Sequence, residues 1–147
     1  MKIPRIFIDR NGKWFQDGIP VTHRWTYLEN NRNLRPSKDG GFEVAEGDVV
    51  IPVEVEDTPF VIVSAELTDS GIRVGINDGT FETVTGGNSL TVNRDNIPYA
   101  SIKKGVFRAR FLRRAYYAIG ANAKPLPGGG FVVESGGGEY KFLPEVE

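Results

Sequence analysis

The chain has 147 residues, of which 39% are hydrophobic and 25% charged, a balance typical of one globular domain large enough to bury a core. Because it contains no cysteine and a single histidine, His23, we expect no disulfide, no thiolate zinc site, no iron–sulfur cluster and no multi-histidine metal centre. The 18 basic residues nearly balance the 19 acidic ones, and the net charge of −1 disfavours binding to nucleic acid or membranes through bulk charge.

Charged residues recur early in the chain, at Lys2, Arg5 and Asp9, so no apolar run of signal-peptide length forms there. The longest apolar stretches, 49–55 and 60–65, are too short to cross a bilayer. We therefore expect a soluble, cytoplasmic protein without a membrane segment.

Turn-forming residues divide most of the chain into short strand-like runs. The pair Asn11-Gly12 predicts a hairpin between 5–9 and 13–16, with Ile6 and Ile8 on one face, because Asn and Gly tolerate positive φ. Further predicted elements are strand 49–55, turn 56–59, strand 60–67, strand 72–77, the Asp78-Gly79 turn, strand 80–85 and strand 90–93. At the end of the chain a glycine-rich turn joins strands 131–134 and 139–143.

Two segments depart from this pattern and predict helices. From Thr22, a suitable N-cap, to about residue 32, Trp25 and Leu28 fall at helical spacing. The second helix is predicted over 106–121. Its apolar stripe consists of Phe107, Phe111, Leu112, Ala115, Ala118 and Ile119.

An internal repeat relates the two helical regions. A shift of 89 positions aligns 27–47 with 116–136 without a gap and gives eight identities, among them Tyr27 with Tyr116 and Pro36 with Pro125. The alternative is that any helix-to-strand connection collects proline and glycine. The repeat predicts an α+β fold of two related helix-plus-strand halves, about 1–67 and 68–147. A mainly antiparallel sheet would join these halves, which form one domain with a shared core and a pocket at the seam between them.

Charge is segregated along the chain. The stretch 101–124 carries seven basic residues and no acidic one, and the stretch 42–57 carries six acidic residues and no basic one. If 106–121 is helical, Arg110, Arg113, Arg114 and Tyr117 share one face. The alternatives are a solvated face paired with the acidic stretch, an anion site that uses the planar guanidinium fork, and, least favoured, a nucleic-acid contact.

Catalytic motifs are weakly represented. The paired carboxylates Glu56 and Asp57 could perform acid–base chemistry with a tyrosine, but such residues more often cap turns or protect strand edges. His23, at the predicted start of a helix, fits an exposed or hydrogen-bonded role better than catalysis. The sequence has no nucleophile elbow, phosphate loop or dinucleotide fingerprint.

Several blocks of sequence resemble the bacterial domain-of-unknown-function family 1285. They are 8–14 with 18–20, the Glu-Asp-Thr-Pro-Phe turn at 56–60, the Arg-Arg-Ala-Tyr-Tyr segment at 113–117 and the glycine-rich 134–137. The resemblance implies an α+β fold of two related halves and a role in ligand sensing for signal transduction, with no known enzymatic activity. The family-like residues of this chain are Asp57, Pro59, Phe60, Arg113, Tyr116 and Tyr117.

The sequence thus favours a non-catalytic protein that binds a small or anionic ligand and needs no cofactor or metal. The predicted ligand-binding residues are Arg110, Arg113, Arg114, Tyr117 and Asp57. The alternatives are a protein–protein interaction module that docks through the acidic stretch or the basic helix, and a small enzyme that uses Glu56 and Asp57. Asp57 and Arg113 could instead form a structural ion pair, and the sequence does not decide between this role and ligand binding.

Overall fold

A computed structural model describes residues 3–145. The chain divides by its contacts into two units, Met1–Pro59 and Phe60–Glu147. This boundary precedes the expected division at about residue 67, which lies inside a strand. The organisation of the chain as one domain stays a prediction.

The first unit consists of a mixed sheet and one helix. Its elements are β1 (Ile6–Ile8), β2 (Trp14–Gln16), β3 (Ile19–Pro20), α1 (Arg24–Asn33), β4 (Leu34–Pro36), β5 (Phe42–Glu46) and β6 (Val49–Val55). The strand order is β3-β2-β1-β6-β5-β4, and β1 pairs with β6 in parallel while the other neighbours are antiparallel. The hairpin predicted around Asn11-Gly12 is confirmed, with Ile6 and Ile8 both buried.

Helix α1 is confirmed, but its buried face differs from the predicted one. It begins after His23 rather than Thr22, and Trp25, expected on the apolar face, is 69% exposed. The helix residue that is buried is Asn31, whose Oδ1 accepts a hydrogen bond of 2.9 Å from the indole Nε1 of Trp14. A polar pair therefore anchors this helix to β2.

The second unit contains the larger mixed sheet. Its strands are β7 (Phe60–Thr68), β8 (Gly71–Ile76), β9 (Phe81–Val84), β10 (Leu90–Val92), β11 (Pro98–Ile102), β12 (Phe107–Phe111), β13 (Ala123–Pro125), β14 (Phe131–Ser135) and β15 (Gly138–Pro144), and its helix is α2 (Arg113–Gly120). The strand order is β13-β14-β15-β10-β11-β12-β7-β8-β9, with β10/β15 and β7/β12 parallel. The hairpin predicted at Asp78-Gly79 is confirmed.

The prediction of one helix over 106–121 is wrong for residues 106–112. Phe107, Ala109 and Phe111 alternate with Arg108 and Arg110, and this period of two places the apolar residues on the buried face of strand β12. Helix α2 begins only at Arg113, and it buries Ala115 and Ile119, which lie one turn apart against β7. Arg110 therefore does not share a helical face with Arg113, Arg114 and Tyr117.

Aromatic side chains fill the core of the second unit. Phe60, Phe111 and Phe142 are fully buried, and the rings of Phe111 and Phe142 meet edge to face with centroids 5.7 Å apart. Phe131 stacks on the Phe142 ring at 4.7 Å. This stacking links β14 and β15 to the same core.

The fold class is α+β and mostly sheet, with two helices in residues 3–145. The sheets are mixed, because each contains at least one parallel pair. Strands β6 and β7, on either side of the turn 56–59, belong to different sheets and so do not form a hairpin. In the described part of the chain, neither helix is long and apolar enough to cross a membrane.

Candidate functional site

Helix α2 presents its polar residues away from the sheet because Ala115 and Ile119 occupy the buried side. The Leu112 amide donates to the Ile62 carbonyl at 2.9 Å, which fixes the start of the helix against β7. The exposed face carries Arg113 and, one turn later, Tyr117, which is 57% exposed. The sequence correctly assigned Arg113, Arg114 and Tyr117 to one exposed helical region.

Arg113 and two tyrosines form a cation–aromatic cluster. The Arg113 Nε donates to the Tyr117 hydroxyl at 3.1 Å, and the guanidinium carbon lies 5.5 Å from the centroid of the Tyr117 ring. The Tyr116 ring meets the Tyr117 ring edge to face at 4.8 Å. The hydrogen bond and positive charge of Arg113 lower the pKa of Tyr117, and the same hydrogen bond raises the pKa of Arg113.

A cleft of about 340 Å³ adjoins this cluster, and Tyr116 is common to both. The cleft is lined by Asn96, Pro98, Tyr116, Gly120, Ala123, Pro125, Gly130 and Phe131. Four of these eight residues, Pro98, Tyr116, Pro125 and Phe131, carry rings, and two are glycines. The volume falls within the range of small-molecule pockets.

The other two predicted site residues lie elsewhere. Arg110 is half-buried on β12 beside Tyr99 of β11, and it makes further interactions there. Asp57 is half-buried in the segment before β7 and also has an interaction partner. A functional role for Arg110 or Asp57, and the pairing of Asp57 with Arg113, stay predictions.

Much of the basic stretch is neutralised within its own unit. Lys103 pairs with Asp78 at 2.7 Å, Lys124 lies 3.8 Å from Glu134, and Arg108 contacts Glu145. With the described residues, Arg113 and Arg114 make no ion pair, so their positive charge remains available for a ligand. This distinguishes the α2 arginines from Lys103, Arg108 and Lys124.

Carboxylates of the acidic stretch also find partners within their own unit. Glu54 forms a bidentate pair with Arg5, with N to O distances of 2.9 and 3.1 Å, and Glu43 pairs with Arg35 at 2.6 Å. The Glu56 carboxylate accepts a hydrogen bond from the backbone amide of Arg10 at 2.8 Å. In residues 3–145, no three His, Asp or Glu side chains come together in a way that would hold a metal.

Most of the cleft residues were missed by sequence reasoning about charge. Pro98, Gly120 and Phe131 carry no chemical motif, and four separate segments bring the lining together. One signal was present in the sequence, because Tyr116, Pro125, Gly130 and Phe131 are all positions matched by the shift of 89 residues. We interpreted these matched positions as a structural repeat rather than as a binding site.

These observations define the class of the protein. It is an α+β protein with two mixed sheets, in which a helix that carries arginine and tyrosine lies beside a small cleft. Two solved structures share this fold, both DUF1285 family proteins, that is, members of domain-of-unknown-function family 1285. The protein from Silicibacter pomeroyi is 19% identical with a TM-score of 0.77, and the match covers 95% of this chain and 80% of that one. The protein from Shewanella baltica is 22% identical with a TM-score of 0.60, and the match covers 78% of this chain and 89% of that one.

The resemblance predicted from the sequence is thereby confirmed at the level of the fold. No family model matches the sequence, and no curated protein matches it. Since both similar structures are of proteins of unknown function, the likeness assigns no activity.

Proposed function

We propose that the chain is a non-catalytic binding protein that holds a small anionic molecule in the cleft beside α2. The observation that carries this proposal is that the Arg113 guanidinium is fixed on Tyr117 next to Tyr116, which forms a wall of the cleft. The ligand's apolar body would enter the cleft, and its anionic group would lie on Arg113. A role as a sensor in signal transduction is suggested by the family resemblance and stays a prediction, as does the cytoplasmic location.

The electrostatics of the site favour an anion. Arg113 and Arg114 occupy the first turn of α2, where the helix dipole is positive and carboxylates are normally found. No acidic residue lies in that turn, and the apolar side chain of the N-cap Leu112 makes no hydrogen bond to the helix amides. An anionic group bound to the Arg113 guanidinium would form charge-assisted hydrogen bonds with it.

A thermal shift screen of carboxylates, acyl compounds and nucleotides tests the proposal, because a ligand that binds only the folded state raises the melting temperature. We expect at least one anionic compound to stabilise the wild type and to lose its effect in Arg113→Gln. Arg24→Gln is the matched control, since Arg24 also begins a helix but is followed one turn later by Leu28 instead of tyrosine. If no compound stabilises the wild type, or if both variants respond alike, the proposal is wrong.

The alternative of a protein–protein interaction module rests on the same helix. If α2 docks a polypeptide, a pull-down should recover a partner that is lost when Arg113→Glu and Arg114→Glu, both exposed on this helix, are combined. The enzyme hypothesis has less support, because Glu56 holds the Arg10 amide and thus caps the adjoining turn. Its carboxylate already has a structural function.

A further inference from the structure

We infer that the α2 cleft selects a flat aromatic carboxylate over an aliphatic acid of similar size. The inference rests on the proposed function and specifies the chemical class of its ligand. It follows from the shape and chemistry of the cleft lining.

Ring-bearing residues supply half of the cleft lining. They are Tyr116 from α2, Phe131 from the start of β14, and the prolines Pro98 and Pro125. Aromatic rings attract one another in stacked and edge-to-face geometries, a contribution beyond burial of apolar area that a flexible alkyl chain does not obtain. A rigid ring system also loses less conformational entropy on binding than an alkyl chain.

The Phe131 wall is held in place from behind. Its ring stacks on the buried Phe142 ring at 4.7 Å with an interplanar angle of 16°. Gly130 precedes it with φ of 77°, and a Cβ there would lie 2.1 Å from the Phe142 carbonyl oxygen, so only glycine permits this close approach. The wall is therefore preorganised for a flat ligand.

Gly120 lines the cleft at the end of α2. It does not have a positive φ, and a Cβ at this position would meet no atom within 4 Å. A larger residue is thus compatible with the backbone and would occupy free space at the cleft. Gly120→Leu is a blocking variant that should fold, since leucine is the better helix former.

The charge of the ligand is set by Arg113. Its guanidinium is planar and offers donors suited to a carboxylate, and the described residues provide it with no competing carboxylate. The Tyr117 hydroxyl accepts from Nε, one of the three guanidinium nitrogens. An aromatic acid would satisfy both the ring walls and this cation.

Isothermal titration calorimetry with 2-naphthoate, 2-naphthamide and octanoate separates these contributions. We expect 2-naphthoate to bind at least about tenfold more tightly than either of the other two. Binding of octanoate as tight as that of 2-naphthoate would overturn this inference and leave the proposed anion site standing. Binding of 2-naphthamide equal to 2-naphthoate would overturn both, whereas no binding by either acid would overturn this inference and leave the proposed anion site to the wider thermal shift screen.

Two glycine variants test whether the ligand occupies the α2 cleft. Gly120→Leu should weaken 2-naphthoate binding by at least about tenfold, whereas Gly86→Leu should leave it unchanged. Gly86 is a matched control because it also lacks a positive φ and a Cβ there would meet nothing within 4 Å, but it lies in the loop between β9 and β10. If a folded Gly120→Leu protein, checked by circular dichroism, binds like the wild type, the ligand does not occupy this cleft and the inference is wrong.

Discussion

Arg113 and Tyr117 are joined by a hydrogen bond of 3.1 Å from the guanidinium Nε to the phenol oxygen, one turn apart on the exposed face of α2. This bond joins the guanidinium to a tyrosine whose ring packs against Tyr116, a residue that lines the cleft. It also stabilises the ionised form of Tyr117, whose pKa is lowered.

Replacing Arg113 should raise the pKa of Tyr117. In Arg113→Gln the hydrogen bond from Nε and the positive charge are both lost, so the pKa of Tyr117 should return toward the ordinary tyrosine value of about 10. NMR titration with ¹³Cζ-labelled tyrosine measures it directly. Arg24→Gln should leave the Tyr117 titration unchanged, and an unchanged titration in Arg113→Gln would contradict the pairing.

The buried pair of Trp14 and Asn31 should contribute measurably to stability. Asn31→Ala leaves the buried indole N–H without its acceptor and should lower the free energy of unfolding by about 1–3 kcal/mol. Asn30→Ala removes the half-buried neighbouring amide on the same helix and gains the same helix propensity. Urea denaturation followed by circular dichroism compares the two variants, and equal stabilities would contradict this role of Asn31.

Two adjacent glycines distinguish a backbone clash from backbone strain. Gly136 and Gly137 have φ of 56° and 79°, so alanine should cost about 1–2 kcal/mol at either position. A Cβ on Gly136 would also lie 2.6 Å from Asp69 Cα, whereas one on Gly137 would meet nothing within 4 Å. We expect thermal unfolding to show Gly136→Ala as the less stable variant by about 1–3 kcal/mol, and the reverse order would disprove the close approach to Asp69.

Asp78 should make the second unit sensitive to acid. Burial alone would raise the pKa of Asp78, but hydrogen bonds from Lys103 and Thr80 outweigh it, and the net pKa is lowered. A lowered folded pKa means that this stabilisation is complete above the unfolded value and is lost as pH falls below about 4. Because Lys103 Nζ lies 2.7 Å from Asp78, we expect the pair to contribute about 1–3 kcal/mol.

The test for Asp78 compares unfolding free energies between pH 7 and pH 2. Asp78→Asn should be less stable than the wild type at pH 7, and the difference should shrink with acidification. The exposed Asp48, replaced by Asn, serves as the control and should follow the wild type. A constant difference between Asp78→Asn and the wild type at all pH values would contradict the ion pair.

Local sequence patterns predicted the elements whose signal is unambiguous. The Asn11-Gly12 and Asp78-Gly79 hairpins form as expected because each turn pair is flanked by strand-like runs. The segment 106–121 was ambiguous, since Phe107 and Phe111 fit both a helical spacing of four and a strand spacing of two. Residues 107–111 form a strand rather than a helix because they pair with β7 and β11, and that pairing depends on the tertiary structure.

The candidate site was predictable only in part. Arg113, Arg114 and Tyr117 were assigned to an exposed helix face by spacing alone, and Arg110 was misplaced with the helix boundary. The cleft could not be predicted from charge or motif, because it arises where Pro98, Tyr116 and Phe131 meet from separate elements. Likewise, the exposed Trp25 and the buried Asn31 invert the usual preference, and the Trp14 indole provides a partner for the buried amide oxygen of Asn31.

The dissociation constant of 2-naphthoate in wild type, Arg113→Gln and Arg24→Gln, measured by calorimetry at one pH and ionic strength, tests the α2 site most directly. We predict that Arg113→Gln weakens binding by at least about tenfold while Arg24→Gln stays within about twofold of the wild type. Equal affinities in all three proteins would show that Arg113 does not hold the carboxylate and would contradict the proposed site.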